Sequence, residues 1–133
     1  MIALDTNVLV RVITEDDETQ AAVAASLMKS DRLFISKTVL LELEWVLRFA
    51  YDFERPEICG ALKHLLGLSN LQVEDEAAVA LGLAGYEGGM DFADALHLAS
   101  CSSAVSEFAT FDGGLAKKAT DLEGAKPVRL LRA

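Results

Sequence analysis

A chain of 133 residues has the length of one ordinary domain, and an apolar content of 52% gives it material for a buried core, which excludes a disordered polymer. Charges interrupt its apolar runs well short of bilayer thickness, so no transmembrane segment is expected; the opening MIALDTN has neither the basic region nor the apolar run of a secretory signal. Twelve basic against twenty-one acidic residues leave a formal charge of −9, which excludes a general-purpose duplex binder, because such binding draws its affinity from neutralising phosphates.

Strand-like and helix-like stretches alternate from end to end. This predicts a single α/β domain over residues 1–133, with a central, mostly parallel sheet of four to five strands flanked by helices. A first strand over 1–4 ends at Asp5, and helical patterns follow over 7–13 and 17–29, the second rich in alanine. Residues 32–35 read as a second strand, after which Ser36 or Thr38 is placed to cap an apolar helix over 37–49. Glu54-Arg55-Pro56 opens another helix, since proline in a first turn lacks only an N–H that has no helical partner there. Its Ile58, Leu62, Leu65 and Leu66 keep helical spacing. Residues 71–73 form a third strand, and Asp75 starts an alanine-rich helix that closes near 85–89. A further helix begins around Asp91 and turns Ala95, Leu96, Leu98 and Ala99 inward. A strand over 107–110, a short helix over 115–120 and a last strand over 128–131 complete the order. Cys59 and Cys101 lack the spacing of a zinc or redox motif, which points to reduced, structural thiols in a cytoplasmic protein.

With twenty-one acids available, the informative ones stand where a solvated surface acid would not. Asp5 directly follows an apolar strand. It either caps the next helix or presents a carboxylate beyond the strand end, where open α/β sheets bind ligands, and local pattern does not separate the two. Glu42 has Thr38, Val39, Trp45 and Val46 three and four positions away, which places it on a largely apolar stripe; Glu44 has Arg48 four residues on, as a surface ion pair would. An acid on a buried face is costly unless a cation or strong hydrogen bonds compensate, so Glu42 is read as functional. Asp91 and Asp94 fall in the first turn of their helix, where the backbone N–H groups favour acids; that explains Asp91 as a cap and leaves Asp94, three residues further in, without that explanation. His97 has no partner histidine at metal-ligand spacing and stays outside the candidate set. Asp112 ends a strand before Gly113-Gly114, an ordinary turn signal, yet on a strand neighbouring the first it would share an edge with Asp5. Close carboxylates repel one another unless cations intervene, and an all-oxygen set suits Mg²⁺ or Mn²⁺ better than zinc.

The ordered set Leu4-Asp5-Thr6-Asn7, Ile35-Ser36 through Leu41-Glu42-Leu43, Asp91-Phe92-Ala93-Asp94-Ala95-Leu96 and Thr110-Phe111-Asp112 resembles the PIN-domain family, most closely VapC-type toxins of type II toxin–antitoxin pairs. The resemblance implies a three-layer fold and a Mg²⁺ or Mn²⁺ site on Asp5, Glu42, Asp94 and Asp112, with Thr6, Asn7 and Thr110 in support and Asp91 at the rim. It further implies endonucleolytic RNA cleavage, a homodimer, and a cognate antitoxin whose tail occupies the acidic groove while its other end binds operator DNA. Arg11, Lys37, Lys117 and Lys118 are the basic candidates for a substrate surface, though for Lys117-Lys118 a solvated helix face is the stronger reading of any single lysine. A haloacid-dehalogenase-type phosphatase would need an acid where Asn7 stands, and a receiver domain an acidic pair before the first helix; neither fits. A PIN nuclease of RNA maturation and a non-catalytic PIN-like binding module are the remaining alternatives.

Overall fold

Four of the five strands run into a helix after a junction of only one or two residues, so strand end, cap and helix start form one local unit. The structure, a computed structural model, describes residues 1–133, and the chain folds as two compact units, Met1–Glu74 and Asp75–Ala133. All twelve expected elements are present in the expected order, to within a few residues at their ends, giving an α/β fold with seven helices and five parallel strands. No helix is long and apolar enough to cross a membrane.

The first unit contains β1 (Ile2–Ala3), α1 (Thr6–Thr14), α2 (Glu18–Ser30), β2 (Leu33–Ile35), α3 (Lys37–Phe49), α4 (Arg55–Leu66) and β3 (Leu71–Val73). Strand β2 is central: Leu33 pairs with Ile2 on one side and Leu71 on the other. That position explains why Leu33 and Ile35 are fully buried while β1 is exposed. Helix α1 buries Leu9 and Val10, α3 buries Leu40, Leu43 and Leu47, and α4 buries Ile58, Leu62 and Leu65.

The second unit contains α5 (Glu76–Glu87), α6 (Phe92–Ala99), β4 (Phe108–Thr110), α7 (Gly113–Ala119) and β5 (Val128–Leu130). Strands β4 and β5 pair in parallel, so hydrogen bonding divides the strands into ladders of three and two where one sheet of four to five had been expected. Helices α5 and α6 approach closely because Gly82 and Gly85 carry no Cβ. A Cβ on Gly85 would stand 3.0 Å from Ala95 Cβ and 3.1 Å from Met90 Sδ, tighter than most side-chain contacts, so the neighbours would have to give way. Tyr86 and Phe92 meet edge-on across the same contact, ring centroids 5.2 Å apart. Beside them Met90, Ala95, Leu98, Leu115 and Ala119 form a small core with Phe108, Leu122 and Val128 packed against it.

Helix α3 corrects the sequence reading. Its buried stripe is Leu40, Leu43, Glu44 and Leu47, so Glu44 lies in the core and Glu42 is exposed. Three leucines at helical spacing set which side turns inward; Trp45, at 55% exposure, and Phe49, at 59%, stay outside and stack on each other at 5.3 Å. The buried Glu44 is compensated by Arg48 one turn on, with Nε donating to Oε2 at 2.7 Å and Nη2 to Oε1 at 3.2 Å. Only the Arg48 end of the pair reaches solvent. Arg48→Met removes two charge-assisted hydrogen bonds from a buried carboxylate and is expected to lower stability by about 2 kcal/mol in urea unfolding. Replacing Glu44 with Met in the same chain should recover most of that loss; no recovery would show that the pair does not act through the burial of Glu44.

Candidate active site

Asp5 is the N-cap of α1. Its backbone is extended and its Oδ1 accepts from Thr6 N–H at 2.8 Å, so the capping alternative is realised. A carboxylate has two oxygens, and this bond engages one of them, leaving the exposed Asp5 able to bind elsewhere as well. Thr6 beside it is buried at 3% exposure, and its Oγ1 has no hydrogen-bond partner. Asn7 is exposed and lines a 480 Å³ groove between α1 and α2 together with Val8, Arg11, Gln20 and Val23. Arg11 is held there by Gln20, Asp16 and Tyr51. Glu42 stands on the exposed side of α3, so the argument from a buried stripe does not apply to it.

In the second unit, Asp91, Asp94 and Asp112 line one cleft of 230 Å³ with Met90, Gly114, Leu115 and Lys118. Asp91 caps α6 through a bond from Asp94 N–H at 3.2 Å. Asp112 caps α7, its Oδ1 accepting from Gly114 N–H at 2.9 Å and Leu115 N–H at 3.1 Å. Thr110 fixes the approach to that cap, because its Oγ1 accepts from Asp112 N–H at 3.0 Å. Asp94 caps nothing. It is half-buried in the first turn of α6, and burial, then the charges of Asp91 and Asp112, push its pKa above the ordinary aspartate range, with His97 acting in the opposite direction. The helix dipole favours an anion here, but the shift shows that desolvation and repulsion win.

Hydrogen bonding pairs β1 with β2 and β4 with β5, so Asp5 and Asp112 do not end adjacent, hydrogen-bonded strands. Asp91, Asp94 and Asp112 are brought together within one unit; Asp5 and Glu42 belong to the other. The donor chemistry suits a hard divalent cation, since the three cleft acids offer only oxygens and a cation would relieve the repulsion on Asp94. No three His, Cys, Asp or Glu side chains converge as a ready ligand group. Of the basic candidates named from sequence, Lys118 lines this cleft, where its Nζ donates to Gly89 O at 2.7 Å. The sequence reading missed the burial of Glu44, for which the spacing of Leu40, Leu43 and Leu47 was the signal.

The raised pKa of Asp94 makes the stability of the fold depend on pH. The folded chain holds this proton more tightly than the unfolded chain, so ionised Asp94 costs stability at any pH above its raised value. Asp94→Asn is therefore expected to raise the Tm most at neutral pH, with the gain vanishing as pH falls into the ordinary aspartate range. Thermal melts across pH 3–8 test this, and a Tm lowered at neutral pH contradicts it. Mn²⁺ affinity of the parent, followed by calorimetry, should begin to fall on acidification above the ordinary aspartate range.

Compared with known proteins, the sequence matches the PIN domain family over residues 2–121, a span that holds Asp5, Glu42, Asp91, Asp94 and Asp112. No curated protein and no solved structure gives a match. The family span runs through both compact units and covers most of the sequence, and on that ground the chain belongs to the PIN domain family.

Proposed function

We propose that this chain is a Mg²⁺- or Mn²⁺-dependent endoribonuclease and acts as the toxin of a VapC-like type II toxin–antitoxin pair. PIN domains are typically nucleases and generally use divalent metals. The observation that carries the reading here is Asp94, half-buried beside Asp91 and Asp112, its proton affinity raised by burial and then by their charges. Such a group gains from a bound cation, whereas a purely structural acid would be better placed in solvent.

In this reading residues 1–133 work as one domain, and Asp5, Glu42, Asp94 and Asp112 hold the ion, with Asp91 at the rim and Thr6, Asn7 and Thr110 in support. A bound divalent cation supplies a water of lowered pKa and a counter-charge for the phosphate oxygens. Asp94 contributes a carboxylate that is deprotonated more readily when a cation is near, and Asp112 contributes one whose orientation is fixed by two backbone N–H groups and, through Thr110, by the strand before it. The −9 charge suits a basic protein partner better than avid RNA binding, which supports an antitoxin that covers the acids and contacts operator DNA on the toxin's behalf. The toxin itself is proposed to be a homodimer, and its two cysteines, which form no disulfide, accord with a cytoplasmic setting.

Asp5→Asn keeps an N-cap of equal quality, so a loss of activity in that variant is chemical and not a matter of helix stability. Both Asp5→Asn and Asp94→Asn are expected to reduce Mn²⁺-dependent cleavage of single-stranded RNA by more than about 100-fold, beyond the 10–100-fold typical of an outer-shell change. Chelation with EDTA should abolish parent activity and a return of Mn²⁺ should restore it. Induced expression should arrest growth with the parent and not with the variants, and sequencing of RNA ends after induction identifies the target. Full cleavage by Asp94→Asn removes this site assignment. Cleavage without growth arrest assigns the chain to RNA maturation instead.

A further inference from the structure

A nuclease cleft lined by carboxylates has to admit a phosphodiester, and both the cleft and the chain as a whole repel one. Asp91, Asp94 and Asp112 supply three negative groups, and the only cationic side chain among the residues lining the cleft is Lys118. Lys118 lies near the end of α7 and is held across to the turn between α5 and α6, where Gly89 O accepts from its Nζ at 2.7 Å. Gly89 adopts φ +103°, a conformation open to glycine and strained for other residues, and this turn presents the anchoring carbonyl. The anchor is a neutral oxygen. An ammonium has three N–H donors, so this contact fixes the position of the charge without neutralising it and leaves two donors for another acceptor.

We propose that Lys118 is a substrate-positioning residue whose ammonium binds a non-bridging phosphate oxygen of the RNA as it enters the cleft of Asp91, Asp94 and Asp112. The proposal rests on the ribonuclease reading and deepens it. A lysine that merely tied α7 to the α5–α6 turn would need a hydrogen-bond donor there and nothing more. A phosphate contact needs the positive charge, a fixed location beside the acids, and exposure to solvent, all of which Lys118 has. Because the contact is to backbone phosphate, it gives affinity and register without sequence preference.

The test compares the parent chain, Lys118→Met and Lys118→Arg in binding a labelled single-stranded RNA, by fluorescence anisotropy with Ca²⁺ present and across a salt series. Lys118→Met is expected to weaken binding equally for RNAs of different sequence. It should also flatten the slope of log affinity against log salt by about 0.7, the share of one phosphate contact on a single strand. Lys118→Arg, which keeps charge and donors, should retain both affinity and slope. In cleavage assays with Mn²⁺, Lys118→Met should raise KM more than it lowers kcat. An unchanged affinity and slope in Lys118→Met, with a lowered Tm as its one effect, overturns the proposal and leaves Lys118 as a tie for α7. Equal losses in the Met and Arg variants overturn it as well. A parent chain that neither binds nor cleaves RNA overturns the ribonuclease reading itself, and the role of Lys118 with it.

Discussion

The unpaired N–H groups at helix starts shape this protein more than any other single demand. Each of the seven helices meets that demand with a side-chain oxygen at its N-terminus: Asp5, Asp17, Ser36, Asp75, Asp91 and Asp112 act as caps, and Glu54 with Glu57 forms a capping box on α4. A cap of this kind contributes about 1 kcal/mol. Since most strands lead straight into helices, the caps stand at strand ends, and carboxylates accumulate there for structural reasons before any chemistry is asked of them. Capping and ligation are compatible in one residue. Asp112 spends both its backbone bonds on a single oxygen, which stabilises α7 and at the same time fixes the direction of the carboxylate.

Asp94 stands apart from this scheme. It sits in the first turn of α6, caps nothing, and is held at a cost by burial and by the acids around it. Its placement depends on the α5–α6 contact, where Gly82 and Gly85 let the helices approach and Met90 and Ala95 fill the space beside them. The turn that closes this hairpin contains Gly89, whose carbonyl in turn holds Lys118. One close helix pair thus sets two acids and the cation beside them. Repelling carboxylates in a half-buried cleft cost the fold stability, and such perturbed groups cluster at functional sites.

Helix α3 shows where reading a pattern fails. Its length, its Ser36 cap and its apolar content were all legible, yet the buried side was taken to include Glu42 when it includes Glu44. Both faces of this helix carry apolar residues, with Leu40, Leu43 and Leu47 on one and Trp45 and Phe49 on the other, so periodicity alone offered two phases. Packing chose the leucines, and Arg48 made the choice tolerable by pairing with Glu44. The candidacy of Glu42 therefore rests on the resemblance of its sequence motif and not on burial.

The sequence by itself determined what is local: the order of strands and helices, the caps, the proline start of α4, and the candidacy of Asp5, Asp91, Asp94 and Asp112 at junctions and first turns. Those features depend on hydrogen bonds and steric limits within a few residues, which short patterns record faithfully. Tertiary structure alone decided that β2 pairs with β1 and β3 while β4 pairs with β5, that Glu44 is the buried acid of α3, and that Asp91, Asp94 and Asp112 share a cleft with Lys118. Gly89 and Lys118 lie twenty-nine residues apart, and no spacing rule links them. Their contact follows from how α5, α6 and α7 pack around a shared core, a balance of volumes and desolvation summed over many residues.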